Sequence, residues 1–412
     1  MRPFTSTIPL DEARRRLDAA VRPIERTERV DLDAASGRVA AADVVSPLDV
    51  PPFARSAMDG YAVVAADVAG ASRSSPARLR VIDRIYTGQP SSVTVTSGTC
   101  AEIATGAPLP SGADAVVMVE ETAGSSDDEV NILAAPTAGQ NVGRRAADIA
   151  RGDRIVAAGD QLTPARVGAL AAVGVPAADV FAKPRVAILS TGNEVVEPGH
   201  TLAPGQIFDV NRFTLGAVVS AHGGIAEPRR AADDTIDALV AALDACAAAD
   251  LIVFSGGSSV GERDLVVDAI AARGEMIFHG IAVRPGKPTA FARVFTPGAP
   301  SPRTRGVPFF GMPGNPTSCL SNAYILLVPF LRAIARLPPH APKTARLPLA
   351  RRIVSAAGRH QFYTVRIENG AAVPAFKGSG DITSLSRADG YIEIPSDRST
   401  VEAETLVDVF MF

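Results

Sequence analysis

The residues best suited to chemistry follow a short apolar segment at positions 251–254. A loop of glycine and serine at 255–261 comes next, and Asp264 then stands at the start of a helical apolar pattern. Backbone N–H groups in such a loop, added to a helix N-terminus, favour an anion. A carboxylate beside a bound anion often holds a divalent metal. The pattern indicates an anion site with a metal, although an ordinary turn capped by Asp264 would use the same residues.

Polar loops also follow other apolar segments in this half of the chain. Residues 191–194 end in Glu194, and residues 313–316 read Pro-Gly-Asn-Pro. Residues 284–288 combine Arg284 and Lys287 with two prolines that stiffen the loop. Asp233 precedes another helical pattern, where either it or Asp234 can be the cap. Ligands of open parallel sheets bind beyond the carboxyl ends of the strands, so we expect the loops that follow strands to converge on one edge.

Further polar residues outside this region are less specific by themselves. Asp59 and Thr105 each precede a glycine. Taken alone, Asp59 is better explained as the turn residue of a hairpin, and the Thr105 hydroxyl is also explained as one that satisfies its own backbone in a turn. Asp148 follows two arginines that either bind phosphate or form a solvated charge cluster. Ser379 lies in a Gly-Ser-Gly turn that is also able to contact an anion.

The elements that must position these residues differ along the chain. Strands and helices alternate over 182–336, which predicts a mostly parallel sheet in a three-layer α/β/α domain. Residues 30–148 show short strands and turns, typical of a β-rich domain, and residues 337–412 predict a small β-barrel-like domain. Helical segments in 1–29 and 149–181 are similar in length and small-residue content, so we expect one discontinuous helical linker domain. The expected fold class is multidomain α/β plus β.

Composition narrows the function classes. The chain has 412 residues, 47% of them hydrophobic and 21% charged, which is typical of a globular protein of several domains. A net charge of −3 argues against a general nucleic-acid surface. The spacing of the 3 cysteines and 5 histidines argues against a disulfide framework and a zinc site. The first residues lack a signal-peptide core, and the apolar run 323–331 is too short to span a bilayer, so we expect a cytoplasmic protein with no membrane partner.

Taken together, the segments resemble the molybdopterin molybdenumtransferases, the family of MoeA and the gephyrin E domain. Six motifs carry the resemblance in family order: PFARSAMDGYA at 52–62, TGAP at 105–108, STGNE at 190–194, SGGSSVG at 255–261, RPGKP at 284–288 and PGNP at 313–316. Any one of them is weak evidence, but six in this order are specific. The resemblance covers the chain to about residue 328 and continues more weakly to the end.

The resemblance implies a reaction and partners. Adenylylated molybdopterin and molybdate are converted to molybdenum cofactor, AMP is released, and Mg²⁺ assists. The implied assembly is a homodimer of four-domain subunits in which each active site is shared between two subunits. A molybdopterin adenylyltransferase and molybdoenzyme apoproteins are the other expected partners.

The resemblance also implies a role for each matching residue. The implied catalytic residues are Asp59, Thr105, Asp148, Glu194, Asp233 and Asp264, of which Glu194 and Asp264 would carry Mg²⁺. The implied substrate and phosphate-binding residues are Ser255, Gly256, Gly257, Ser258, Gly261, Pro313, Gly314, Asn315 and Pro316. Molybdate would be held by Arg284, Lys287 and Ser379.

The chain departs from the family pattern at a few positions. Asn193 stands where aspartate is common, Gly143 where arginine is common, and Ala147 replaces a usual glutamate. Ser258 replaces a usual valine. Thr364 occupies the position of an arginine associated with molybdate, and Arg366 lies two residues further along the same predicted strand face. We therefore expect Arg366 to replace the missing arginine.

Two other functions fit part of these observations. The α/β segment also resembles the adenylyltransferases that carry out the preceding step, but those proteins lack the N-terminal and C-terminal domains. A non-catalytic scaffold is the second alternative, because the gephyrin E domain also binds receptor segments. The presence of Asp59, Glu194, Asp233 and Asp264 favours catalysis, since a scaffold would be free to lose them.

Overall fold

The computed structural model of the protein describes residues 7–124, 126, 128–192, 194–230, 235–256, 265–295, 306–355 and 357–412. The α-helices in these residues are α1 Leu10–Ala20, α2 Pro164–Ala172, α3 Asn211–Ala221, α4 Ile236–Ala245, α5 Leu265–Arg273, α6 Pro316–Asn322, α7 Val328–Ile334 and α8 Thr383–Ser386. The same residues contain three short 3₁₀ helices, at Leu32–Ala34, Ala65–Val68 and Val119–Glu121.

The described strands fall into three groups along the chain. The first group is β1 Thr27–Asp31, β2 Val44–Val45, β3 Arg55–Ser56, β4 Gly60–Val63, β5 Ala77–Ile85, β6 Thr99–Ile103, β7 Ala115–Met118, β8 Thr122–Ala123, β9 Glu129–Ile132, β10 Val142–Gly143, β11 Arg154–Val156 and β12 Ala177–Phe181. The second is β13 Arg185–Ser190, β14 Val195–Val196, β15 Ile207–Phe208, β16 Ile225–Arg230, β17 Leu251–Ser255, β18 Gly274–His279, β19 Val283–Arg284, β20 Ala290–Val294 and β21 Val307–Met312. The third is β22 Thr344–Pro348, β23 Ile353–Val354, β24 His360–Glu368, β25 Ala371–Pro374, β26 Gly390–Ile394, β27 Thr400–Val401 and β28 Leu406–Met411.

The chain divides into two compact units. The first contains Met1–Glu28, Gly37–Val39 and Phe181–Phe412, and the second contains Arg29–Ser36 and Ala40–Val180. The first unit therefore holds both the α/β segment and the C-terminal strands. The finer division into four domains stays a prediction.

A six-stranded sheet in the order β16-β13-β17-β21-β20-β18 forms the centre of the first unit. Strands β16, β13, β17 and β21 pair in parallel, whereas β20 pairs antiparallel with both β21 and β18, so that β20 alone among these six strands runs in the opposite direction. The central strands are apolar runs because helices connect parallel strands across the faces and leave little surface for water. This arrangement agrees with the mostly parallel sheet that the alternating pattern predicts.

Side chains of each central strand alternate between two apolar clusters. Val186 and Ile188 lie in a cluster with residues of α1, α3, α6 and α7, whereas Ala187 and Leu189 lie in a second cluster with α4 and α5. The alternation follows from the two-residue period of a strand. Both faces of the sheet are therefore buried, and only its edges and strand ends remain for ligands.

The long apolar helix expected after residue 316 contains an irregular segment. Ala323–Leu327 is a π-helix between α6 and α7, and the Val328 N–H donates to the carbonyl of Ala323. Pro329 follows immediately, and since proline has no N–H and crowds the preceding turn, local widening is the expected response. Among the described residues this helix, Pro316–Ile334, has the length and composition of a membrane span, but 72% of its apolar 18-residue window is buried inside the protein, as in a core helix.

The second unit is rich in strands, as expected for this part of the chain. Its largest sheet has the order β7-β4-β6-β5-β9-β8, with one parallel pair, β5 and β6. Gly60 opens the central strand β4, and a side chain there would place Cβ 1.9 Å from the carbonyl oxygen of Val117. Glycine is therefore required beside Asp59 for the close approach of β4 and β7.

The C-terminal strands form a sheet in the order β19-β24-β26-β28-β22, with β25 paired to β24. Strand β19 comes from the α/β segment, and it pairs in parallel with β24 through Val283 opposite His360 and Arg284 opposite Gln361. This pairing anchors the start of the basic loop 284–288 to the C-terminal sheet.

Candidate functional site

A cleft of about 1250 Å³ lies beyond the carboxyl ends of β13, β17 and β21. The polar and charged side chains that line it are Ser190, Thr191, Glu194, Asp209, Asn211, Ser255, Arg284, Lys287, Asn315, Ser318, Arg359, Lys377 and Ser379. Gly256, Pro313, Gly314 and Pro316 line it as well. The strand-end loops thus meet at one edge, as the parallel topology predicts.

Asp209 is a buried carboxylate in the wall of this cleft. It follows β15, accepts a hydrogen bond of 2.7 Å from Ser190 Oγ, and accepts one of 3.0 Å from the N–H of Arg212. The Arg212 guanidinium lies 3.8 Å from it. Asp209 therefore joins the end of β13 to the start of α3, and part of its charge is compensated.

Asn211 connects two of the loops. Its Nδ2 donates to Ser255 Oγ at 2.8 Å and to the carbonyl oxygen of Gly314 at 2.7 Å. Cys319 lies next to this network, and burial raises the pKa of its thiol to about 12, with a hydrogen bond to Ser255 opposing the shift. The thiol is therefore neutral at physiological pH and has no thiolate to offer as a nucleophile.

Buried polar groups hold the backbone of the basic loop, residues 284–288. The Gly286 carbonyl accepts hydrogen bonds of 2.9 Å from Asn322 Nδ2 and 2.9 Å from Thr289 Oγ1. Gly286 has a φ of +105°, and a Cβ there would lie 2.2 Å from Asn322 Nδ2, so this position requires glycine. Arg284 and Lys287 consequently project from a loop whose backbone has little freedom.

The turn that contains Ser379 joins the opposite side of the cleft. Asn315 Nδ2 donates to Ser379 Oγ at 3.0 Å, and the Thr317 N–H donates to the Ser379 carbonyl at 3.0 Å. The Thr317 hydroxyl donates to the carbonyl of Asp381 at 2.8 Å. These bonds fasten the C-terminal loop to the loop after β21 and bring Lys377 to the cleft.

Positive charge predominates along the cleft. Among the described residues its lining contains four cations, Arg284, Lys287, Arg359 and Lys377, and two acids, Glu194 and Asp209. The whole chain carries −3, so the excess of cations is local. A concave surface lined by one sign of charge attracts ligands of the opposite sign.

The second unit brings Asp59 and Thr105 together. Asp59 Oδ1 accepts a 2.7 Å hydrogen bond from the N–H of Thr105, which lies 46 residues away. Asp59 is thus a link between two distant loops rather than the turn residue of a local hairpin. It also lines a depression of about 260 Å³ together with Arg84 and Glu102. Asp148 is exposed in the same unit, and its N–H donates to the Val50 carbonyl.

Three family descriptions match the chain in succession. They are the MoeA N-terminal region (domain I and II) at 8–174, a "probable molybdopterin binding domain" at 187–333, and the MoeA C-terminal region (domain IV) at 346–412. Molybdopterin molybdenumtransferase 2 of Mycobacterium tuberculosis is 36% identical over 95% of each chain. Molybdopterin molybdenumtransferase of Haemophilus influenzae is 31% identical over 98% of each chain. The chain belongs to the molybdopterin molybdenumtransferase family.

Solved structures agree with this family. The crystal structure of a molybdopterin biosynthesis MoeA protein from Pyrococcus horikoshii aligns with a TM-score of 0.84 at 38% identity, covering 98% of this chain and 99% of that one. A second MoeA crystal structure from Pyrococcus horikoshii aligns with a TM-score of 0.78 at 28% identity, covering 99% and 100%. The multidomain MoeA fold, with mixed sheets and several helices, is therefore the fold of this chain.

Several site predictions made from the molybdenumtransferase motifs fall outside the described residues. They concern Asn193, Asp233, Gly257, Ser258, Gly261 and Asp264. The other predicted residues of the α/β segment, from Glu194 and Ser255 to Pro316, line the cleft together with Ser379. Asp59, Thr105 and Asp148 belong to the second unit.

Arg366 is not among the side chains that line the cleft. It is paired with Glu368 at 3.0 Å, and Thr364 is buried in the same strand. The cleft instead presents Arg359 and Lys377, which the sequence reasoning missed, as it missed Asp209 and Asn211. The sequence does contain a signal for Lys377, because this residue directly precedes the Gly-Ser-Gly turn.

The donor set of the cleft is compatible with Mg²⁺. The described residues contain no group of three His, Cys, Asp or Glu side chains able to hold a metal by themselves. Mg²⁺ does not need such a group, because it keeps several waters and takes one or two carboxylates plus substrate phosphates. Glu194 provides one carboxylate at the cleft.

Proposed function

We propose that this chain inserts molybdenum from molybdate into adenylylated molybdopterin, in a reaction that Mg²⁺ assists and that releases AMP. Its family makes the chain an enzyme, a transferase of molybdenum cofactor biosynthesis. The observation that carries the finer proposal is the cleft of the first unit. There the loops after three parallel strands meet four cationic side chains.

The proposed substrates suit the chemistry of this cleft. In adenylylated molybdopterin, the pterin phosphate is joined to AMP through a pyrophosphate, and molybdate is an oxyanion, so both substrates need positive charge and hydrogen-bond donors. The loop that starts at Ser255 and Gly256 offers backbone N–H groups at a strand end. Together with Pro313–Pro316 of the Pro-Gly-Asn-Pro loop, it is the proposed pyrophosphate site.

Glu194 is the proposed Mg²⁺ ligand among the described residues, and Asp264 and Asp233 are the further acids proposed for this site. When bound, the metal withdraws charge from the pyrophosphate and makes its cleavage easier. The side chains of the chain itself orient the substrate, and the buried Asp209 accepts a hydrogen bond from Ser190 at the end of β13, the strand that precedes Glu194.

The proposed molybdate site is the basic loop with its neighbours. Arg284 and Lys287 stand on a backbone held by hydrogen bonds to Gly286, and Ser379 faces the same cleft. Arg359 and Lys377 line this cleft, and we propose that they supply the charge that the family places at position 364. Arg366 is paired with Glu368 and is the weaker candidate for that role.

We propose a homodimer in which Asp59, Thr105 and Asp148 of one subunit complete the cleft of the other. The support is that these residues belong to a different compact unit from the cleft. Co-expressed Asp59→Ala and Glu194→Ala subunits should then regain activity, because a mixed dimer keeps one site with both intact halves. Two Glu194→Ala subunits serve as the control. Verified mixed dimers without recovered activity would place each site within one chain.

Other parts of the proposal concern architecture and setting. We propose that the sheet of the first unit is the middle layer of a three-layer α/β/α domain and that the C-terminal strands close in a barrel-like manner. The expected setting is the cytoplasm, where an adenylyltransferase supplies the substrate and molybdoenzyme apoproteins take the product.

The experiment is incubation of the purified chain with adenylylated molybdopterin, molybdate and Mg²⁺. AMP release that depends on molybdate, together with activation of a molybdoenzyme apoprotein, is the expected result. Glu194→Gln should lose AMP release, whereas Glu197→Gln, a nearby acid outside the cleft lining, should retain it. Formation of adenylylated molybdopterin from ATP would identify an adenylyltransferase instead, and the absence of any turnover would favour a scaffold.

A further inference from the structure

Two buried asparagines in the first unit share one bonding pattern. Asn211 Nδ2 donates to Ser255 Oγ at 2.8 Å and to the Gly314 carbonyl at 2.7 Å. Asn322 Nδ2 donates to the Gly286 carbonyl at 2.9 Å and to Thr289 Oγ1 at 2.5 Å. Asn211 is 8% exposed and Asn322 is 0% exposed. Each amide therefore uses its N–H groups to hold a loop of the cleft.

The orientation of both amides follows from their partners. A peptide carbonyl only accepts hydrogen bonds, so the side of each amide that faces Gly314 or Gly286 must be the NH₂ group. Both Oδ1 atoms are then buried, and no described group donates to either of them. An unsatisfied buried acceptor is unfavourable for folding, but an apolar residue in its place would remove the N–H donor from the Gly314 or Gly286 carbonyl. Each asparagine therefore keeps its donors on a loop carbonyl at the expense of an unpaired acceptor.

The two networks have no residue in common. Asn211 donates hydrogen bonds to two segments at strand ends, to Ser255 at the end of β17 and to Gly314 in the loop after β21. Asn322, with Thr289, acts on the turn at Gly286, between Arg284 and Lys287. Because peptide units are planar and trans, fixing the Gly314 carbonyl toward Asn211 also directs the next N–H away from it. Each asparagine thus sets the backbone direction of a different loop.

We propose that Asn211 and Asn322 are positioning residues for separate substrates. Asn211 orients the loops that bind the adenylylated pterin, and Asn322 with Thr289 orients the basic loop that binds the oxyanion. This inference rests on the proposed function and deepens it, because it assigns to each substrate a separate buried asparagine that orients the loop binding it.

The test compares Asn211→Ala and Asn211→Asp with Thr289→Val in the AMP-release assay. The Asn211 variants should raise the KM for adenylylated molybdopterin about tenfold and leave the KM for molybdate unchanged. Thr289→Val removes both hydroxyl bonds with little change in shape, so it should raise the KM for molybdate about fivefold and leave the pterin KM unchanged. Thermal unfolding of each variant shows that the chain remains folded.

Asn211→Asp adds a readout that a purely structural role would not move. Burial raises the pKa of a carboxylic acid, and once protonated the side chain regains one donor toward Gly314. Relative to wild type at the same pH, the pterin KM of Asn211→Asp should therefore improve as the pH falls. Asn211→Ala should show no such improvement, and since it is neutral it also controls for charge repulsion of the anionic substrate.

Distinct results would overturn the inference. If the wild type is active and the Asn211 variants match its pterin KM, or raise both KM values equally, the inference fails. A lower melting temperature with unchanged KM values would leave these residues a role in folding only. Absence of AMP release by the wild type would overturn the proposed function, and this inference with it.

Discussion

Replacing Lys287 with alanine is expected to raise the molybdate concentration that half-saturates AMP release. Lys287 lies on the loop whose Gly286 carbonyl is held by two hydrogen bonds of 2.9 Å, so its backbone is ordered before the oxyanion binds. Little conformational entropy is then lost on binding. The same change at Lys377 tests the second pair of cations, and Arg366→Ala is the matched control, because Arg366 is paired with Glu368 and does not line the cleft.

The magnitudes follow from exposure. Lys287 is half-buried, and loss of a charge-assisted hydrogen bond there costs about 1.5–3 kcal/mol, or about one to two decades in KM. Lys377 and Arg359 are exposed, and water and salt weaken their attraction for the oxyanion. Their loss should cost about 0.5–1 kcal/mol each, or about two- to fivefold. The effect at the exposed pair should shrink further at high ionic strength.

The assay varies molybdate at saturating adenylylated molybdopterin, at low and at high salt, and measures the pterin KM separately. An unchanged molybdate KM in Lys287→Ala would remove the basic loop from the oxyanion site. Arg366→Ala is expected to behave as wild type. If Arg366→Ala is instead impaired while Lys377→Ala is not, the geometric argument against Arg366 is refuted.

Three further predictions concern the fold. Phe310→Ala should lower the free energy of unfolding, measured by urea titration, by about 3–5 kcal/mol, because the ring is fully buried and packs against two other phenylalanine rings. A loss below about 1 kcal/mol would contradict this packing. Gly60→Ala should reduce thermal stability and activity because the added Cβ has no space. Gly168→Ala on α2 has open space and should be neutral or stabilising by up to about 1 kcal/mol. Equal effects of the two substitutions would refute the argument from the space around each Cβ. Burial, and then the nearby charges of other groups, lower the pKa of His222 from 6.5 to about 4. The unfolded chain therefore takes up this proton first, and stability should fall as the pH drops from about 6.5 to 4. His222→Gln should reduce this pH dependence of the melting temperature, whereas His200→Gln, at an exposed histidine, should not. The reverse result would exclude His222 as the cause.

Local signals account for much of what could be predicted. The strand at Leu251–Ser255 and the helix at Leu265–Arg273 are predictable from the sequence, because a short apolar run, a glycine loop and a 3.6-residue period are each visible within a short stretch of the chain. The parallel order of β13, β17 and β21 follows from alternation, since parallel strands need a connection long enough to cross the sheet. Convergence of the strand-end loops then needed no knowledge of packing.

Residues whose role depends on distant contacts were missed. Asn211 is 44 residues from Ser255 and 103 from Gly314 in sequence, so no local pattern relates it to them. Arg359 and Lys377 join the cleft only because β19 pairs with β24 and because Ser379 is bonded to the loop after β21. Long-range pairing of this kind is decided by the whole chain.

Arg366 shows where a correct local rule gives an incomplete answer. Residues 364 and 366 of one strand do share a face, but they are about 6–7 Å apart along it. The Arg366 guanidinium is paired with Glu368, and neither Thr364 nor Arg366 is among the described residues that line the cleft. The period of a strand predicts a direction, whereas reach depends on what surrounds the strand end.

The sequence by itself determined the family, the reaction expected of it, the order of strands and helices, and the glycines at which a loop must turn, because motifs and periodicity are local properties of the chain. The tertiary structure decided which side chains share the cleft, how Asp59 reaches Thr105, and how Asn211 and Asn322 hold separate loops. Such contacts form between segments far apart in sequence, and only burial of the whole core brings those segments together.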